Sequence, residues 1–81
     1  MDYKVFSFTL LGEKPRFWKK REYANRILQY LDKDTEELLL IGTAPAWLLA
    51  LFIRTLRGRV RRLNYYHRSL GEIKIFSEGD D

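Results

Sequence analysis

At 81 residues the chain is sized for one small domain, residues 1–81, of a kind that buries only a modest share of its surface and is marginal alone. With no cysteine and a single histidine it excludes a disulfide framework and a zinc site of several His or Cys ligands. The formal net charge is +4, yet 46% of residues are hydrophobic and 15% aromatic, more apolar material than so small a monomer easily hides, so a homodimer or larger homo-oligomer is expected.

Residues 3–11 alternate loosely, with Phe6, Phe8 and Leu10 on one face, and predict a first strand. Residues 12–15 form a turn. From 15 to 31, Ala24, Ile27, Leu28 and Leu31 recur at helical spacing, and Pro15 suits a first helical turn, where no N–H is needed. Arg16, Lys19, Lys20, Arg21 and Arg26 line the other faces of that helix, and residues 32–34 end it. The continuous Leu/Ile run 37–41 predicts a strand buried on both faces, as in a parallel sheet. Residues 42–45 turn the chain into a second helix, 46–57. It is apolar nearly all round, so it is expected to be buried, with subunits packed about it. Gly58 closes it. Residues 59–66 and 72–76 predict two further strands joined by a hairpin at 67–71.

The resulting order is βαβαββ, an α/β fold with a mostly parallel sheet ending in an antiparallel hairpin. The acidic tail, residues 77–81, is expected to be flexible. No internal repeat or low-complexity segment interrupts this order. The start of the chain, Met1-Asp2-Tyr3-Lys4, lacks a basic and then apolar leader pattern. The apolar run 38–53 is broken by Gly42, Thr43 and Pro45 and is shorter than the ~20 residues of a spanning helix. The expectation is a cytoplasmic protein with no membrane contact.

Charge is distributed unevenly. Between residues 38 and 71 there is no Asp or Glu and no lysine, but six arginines: Arg54, Arg57, Arg59, Arg61, Arg62 and Arg68. A guanidinium presents a fork of donors that fits phosphate oxygens and can stack on bases. Without acids in the segment, these cations call for an external anion, so a phosphate-bearing ligand, a nucleotide or RNA, is expected. Arg54, Arg57, Arg59 and Arg62 are candidate contacts, and Arg57, Arg59, Arg62 and Arg68 are the first choices for substitution. The plain alternative is a solvated basic face.

Two segments are candidate sites. Gly42-Thr43-Ala44-Pro45 lies where a strand hands over to a helix, followed by Trp47. Helix N-termini favour anions, and ligands of open α/β sheets gather beyond the C-terminal ends of the strands. The loop lacks the Gly-Lys-Ser/Thr ending of a Walker A motif, and a plain turn capped by Thr43 is its alternative. Tyr65-Tyr66-His67-Arg68-Ser69 combines two stacking rings, an imidazole, a phosphate fork and a hydroxyl, the equipment used on unstacked bases. A lone histidine is more often a surface or packing residue, and here its neighbours favour a functional one. Carboxylates for a two-metal nuclease are missing from the basic segment, and no Ser–His–acid triad is indicated. Metal-free RNA cleavage stays open, because there the ribose 2′-hydroxyl is itself the nucleophile.

The segments Gly42-Thr43-Ala44-Pro45-Ala46-Trp47-Leu48 and Tyr66-His67-Arg68-Ser69-Leu70-Gly71 resemble the small "Csx-three" CRISPR-associated ring nucleases of type III systems. The family pattern runs Gly-x-x-Pro-x-Trp-Leu-His on the strand–helix turn and Tyr-Asp-x-Arg-Leu-Gly on the hairpin. The resemblance covers about residues 38–77. It implies a symmetric oligomer that binds cyclic tetra-adenylate and cuts it, ending an antiviral signal. Three positions depart: Leu49 stands at the family's histidine, His67 at its aspartate, and Ser69 at its arginine, with Arg68 adjacent. The family also carries an additional N-terminal strand for which this chain has no room.

The first expectation is therefore a cyclic oligoadenylate-binding protein, acting as a metal-independent ring nuclease or as a non-cutting sink, with no cofactor. Its catalytic candidates are His67, Arg68 and Ser69. Gly42, Thr43, Ala44, Pro45, Trp47, Arg54, Arg57, Arg59, Arg62, Tyr65 and Tyr66 are its candidate binding residues. The other readings are a small basic RNA- or single-strand-DNA-binding homodimer, and an interaction subunit whose arginines meet an acidic protein.

Overall fold

The structure, a computed structural model, describes residues 2–78; residues 79–81 of the acidic tail lie outside the described residues. Its elements are β1 (Asp2–Ser7), a 3₁₀ turn (Phe8–Leu11), a second 3₁₀ turn (Phe17–Lys19), α1 (Lys20–Tyr30), β2 (Thr35–Ile41), α2 (Ala46–Leu56), β3 (Arg62–His67) and β4 (Gly71–Ser77). The sheet order is β1-β2-β3-β4, with β1, β2 and β3 parallel and β3 antiparallel to β4. The α/β class, the element order and the closing hairpin agree with the sequence reading.

Boundaries differ where local contacts outweigh pattern. The first strand stops at Ser7 because its hydroxyl accepts from the Thr9 N–H and caps a 3₁₀ turn. That turn folds Phe8 and Leu11 inward. The first helix begins at Lys20, five residues later than expected. Extended Arg16 donates its N–H to the buried Tyr23 hydroxyl at 2.9 Å, which holds the incoming chain away from helical geometry. The third strand begins at Arg62, because Arg57–Val60 forms a turn in which the Arg59 and Val60 N–H groups return to the Leu56 carbonyl.

Both crossovers place their helices on the same face of the sheet. Phe6 meets Tyr30 and Phe52, and Phe8 meets Phe52 and Tyr65. These join Leu38, Leu40, Leu48, Leu56, Leu63, Tyr23 and Ile27 in one core. The molecule measures 34 × 30 × 17 Å, and the short dimension accommodates one sheet and one helical layer. Two expectations fall here. β2 is buried on one face only, since Leu38 and Leu40 are buried while Leu39 and Ile41 on the other face are half-exposed. α2 is not buried all round: Leu48, Phe52 and Leu56 form its buried stripe, whereas Ala46, Ala50 and Arg54 are exposed. A two-layer fold covers one side of each element, and the sequence carries apolar residues beyond that side. Among the described residues no helix is long and apolar enough to cross a membrane.

Candidate functional site

The two candidate segments, more than twenty residues apart in sequence, meet in space. A cavity of about 640 Å³ opens beyond the C-terminal ends of β2 and β3. Gly42, Thr43, Ala44 and Ala46 line one side, and Tyr65, Tyr66, His67, Arg68 and Ser69 the other, with Leu49 between them. The volume is that of a small-molecule site, and the position follows the rule for open α/β sheets.

Several contacts set the geometry of this cavity. Gly42 leaves β2 with φ of +104°, a conformation rarely open to residues with a Cβ. A Cβ there would also stand 3.4 Å from the Phe8 backbone nitrogen. Tyr65, buried on β3, donates its hydroxyl to the Gly42 carbonyl at 2.9 Å and ties the strand to the loop. α2 starts behind Pro45, which contributes no side-chain cap, and the first turn carries no acid. The N–H groups of Leu48 and Leu49 turn back to the Pro45 carbonyl. Those of Ala46 and Trp47 lie ahead of the helical ladder, where backbone donors attract anions. Thr43 does not cap the helix, contrary to the capped-turn expectation, and lines the cavity.

At the opposite wall, the Ser69 N–H donates to His67 Nδ1 at 3.1 Å. An accepting Nδ1 puts the neutral ring's proton on Nε2, so the ring offers the cavity a donor. Arg68 is exposed and has no ion-pair partner among the described residues. Leu49, one helical turn after Ala46, gives the cavity an apolar wall. That i, i+3 spacing is the signal by which both residues could have been found from sequence; neither was among the candidate binding residues.

The other candidate residues lie elsewhere. Trp47 is half-buried against Phe17 and Tyr23, with ring centroids 5.3 and 6.2 Å away. Pro45 is the helix N-cap and does not line the cavity. Arg54 is exposed in the last turn of α2. Arg57 stacks on Phe76, 5.0 Å from the ring centroid. Arg59 lies in the turn before β3, at the end of that strand opposite the cavity. Arg62 is on β3, 3.9 Å from Glu37, and Arg61 is 3.6 Å from Glu36. The premise that the arginines lack internal partners therefore fails for these two. The acids sit on β2, outside the acid-free segment, and parallel pairing of β2 with β3 brings Glu37 beside Arg62. Of the six arginines, Arg68 alone lines the cavity.

Among the described residues, no three His, Cys, Asp or Glu side chains come together in a group that could hold a metal ion. No known protein family, characterised protein or solved structure matches the chain.

Proposed function

We propose that the cavity binds a phosphate-bearing nucleotide, and that the ligand is a cyclic oligoadenylate, cyclic tetra-adenylate first. One observation carries this reading: two segments, one suited to phosphate and one to base contacts, line the same cavity at the C-terminal edge of the sheet. The start of α2 supplies backbone donors for phosphate, Arg68 a charged fork, and Tyr65, Tyr66 and Leu49 apolar surface for a base. The motif resemblance selects the cyclic ligand within the nucleotide class. A cytoplasmic location and a homo-oligomeric state belong to the same proposal.

Cutting would need no divalent metal. The 2′-oxygen bonds to phosphorus, the bond from phosphorus to the 5′-oxygen breaks, the 2′-hydroxyl proton leaves to water, and the departing oxygen gains a proton. The products carry a 2′,3′-cyclic phosphate and a 5′-hydroxyl. In the tautomer held by Ser69, the His67 Nε2–H hydrogen-bonds a phosphoryl oxygen or the leaving oxygen and keeps its proton, and water protonates the departing oxygen. His67 does not accept the 2′-hydroxyl proton at that nitrogen. Arg68 stabilises the added charge. If binding occurs without cutting, the same site acts as a sink.

The test is titration calorimetry with cyclic tri-, tetra- and hexa-adenylate and with linear oligoadenylate, followed by product analysis with and without EDTA. Binding of the cyclic tetramer in preference to the linear strand is expected. Should cutting occur, His67→Ala slows it by about 10²–10³-fold, as for removal of one donor to the developing charge, while affinity changes far less. Equal or better binding of linear strands would replace the proposal by a single-strand-binding function, and no nucleotide binding at all would refute it.

A further inference from the structure

The stretch 14–21 reads Lys-Pro-Arg-Phe-Trp-Lys-Lys-Arg, five cations and three apolar residues, with no side chain that accepts a hydrogen bond. It forms the second 3₁₀ turn and the first residues of α1. Trp18 is 74% exposed and Phe17 55%, and Trp18 is the most exposed large apolar residue among those described. A side chain this open sits on a protruding surface, not in a groove.

The turn that carries these rings is firmly held. Phe17 meets Trp47 in an edge contact, Trp47 lies against the buried Tyr23, and the Arg16 N–H donates to the Tyr23 hydroxyl. Lys20 lies over the Phe17 ring at 4.8 Å and Arg16 over the Trp18 ring at 5.5 Å. The neighbouring acids are already engaged: Glu13 with Lys19 at 3.1 Å and Arg16 at 3.9 Å, and Glu22 with Arg26 at 3.5 Å. Lys14, Lys20 and Arg21 are exposed and have no ion pair among the described residues.

We propose that this turn docks on the surface of an anionic lipid bilayer. Phe17 and Trp18 enter the headgroup region, where an indole places its apolar body inward and its N–H at the wet side. The cations around them meet lipid phosphates while their aliphatic stems cover the boundary. Binding of such segments scales with the apolar area inserted plus the attraction of basic residues to anionic lipid, and this turn supplies both.

The donor inventory selects this partner over a nucleic-acid strand. Lipid phosphates accept hydrogen bonds, and this segment only donates them. Base edges also carry donors, for which the segment has no side-chain acceptor. A strand is tracked by a basic groove with open ring faces, whereas this turn is convex, and Lys20 and Arg16 each occupy a ring face on which a base would stack. A bilayer presents a plane that a convex turn can meet. The expectation of no membrane contact follows from the lack of a spanning segment and does not bear on a surface dock. None of the cavity-lining residues takes part, so this inference and the nucleotide reading can fail separately.

The test is cosedimentation of the full chain, without nucleotide, with vesicles of phosphatidylcholine alone or with about one third phosphatidylserine, and circular dichroism of every variant. Wild-type protein should bind the anionic vesicles and not the neutral ones, less tightly as salt rises, and its tryptophan emission should shift to shorter wavelength on binding. Trp18→Ala should weaken binding by roughly tenfold and remove the shift. Lys20→Gln with Arg21→Gln should weaken it by roughly 25-fold, about fivefold for each cation. Arg54→Gln with Arg59→Gln removes the same charge from the other end of α2 and should change binding less than about threefold, because charges held off the surface are screened. No binding to anionic vesicles, unchanged binding by Trp18→Ala, or equal losses from the two double variants would overturn the proposal. A single-stranded oligouridylate bound through Trp18, with vesicle binding insensitive to that residue, would overturn it in favour of nucleic acid.

Discussion

Tyr65→Phe isolates the contact that joins the two halves of the cavity. The ring keeps its packing against Phe8, whose centroid is 6.4 Å away, and only the hydroxyl that donates to the Gly42 carbonyl is removed. A neutral intramolecular hydrogen bond contributes about 0.5–1.5 kcal/mol net. The Gly42 carbonyl borders an open cavity, where water can replace the lost donor, so the cost should fall near about 1 kcal/mol rather than at the full penalty for an orphaned buried group. A domain of this size unfolds with an entropy near 170 cal/mol/K, so that loss lowers Tm by about 6 °C. Urea unfolding should show a lower midpoint at unchanged slope, because the exposed surface is the same. Affinity for nucleotide should fall by more than stability, since the loop bearing Thr43 and Ala44 is then no longer tied to β3 and must be ordered by the ligand. A variant with wild-type midpoint and wild-type affinity would refute the assignment of this hydrogen bond as the tie.

Two further substitutions separate the cavity from the remaining basic surface. Gly42→Ala combines a strained φ of +104° with a Cβ placed 3.4 Å from backbone, and should cost about 1–3 kcal/mol, read as a lower urea midpoint. Arg68→Lys should weaken nucleotide binding by roughly tenfold because the planar fork is lost while the charge stays, whereas Arg54→Lys, Arg57→Lys and Arg59→Lys should each change it less than twofold, as measured by calorimetry at fixed salt.

The sequence pattern carried the fold well because its signals are local and redundant. The Leu/Ile run before Gly42 and the apolar helix after Pro45 permit few other readings, and parallel order follows from strands alternating with helices. The ends of elements were less legible. The Tyr23 hydroxyl delays α1 and the Ser7 hydroxyl shortens β1, and both act through contacts that periodicity does not register. The side chains of α2 misled for a related reason. An all-round apolar helix signals burial, but the large exposed apolar residues of this fold lie off that helix, Tyr3, Val5 and Tyr66 on the sheet and Leu10, Phe17, Trp18 and Leu70 in the turns. The two site segments were legible as motifs, and the parallel sheet brings them together. The arginines were not. Acid-free sequence does not make an acid-free surface, because a parallel neighbour strand can place Glu36 and Glu37 beside Arg61 and Arg62.

That redistribution of charge bears on what the cavity can hold. One arginine and one helix N-terminus per cavity suffice for one phosphate group or two, and they do not make a continuous basic groove. Arg54, Arg57 and Arg59 lie toward the end of α2 and of β3 remote from the cavity, a strand length or roughly 20 Å away. A linear nucleic acid gripped by all of them would have to run along the molecule past Glu36 and Glu37. A compact anionic ligand instead fits within one cavity, which Arg68 and the start of α2 border. The charge arrangement therefore supports the proposed small phosphate-bearing ligand better than a long strand.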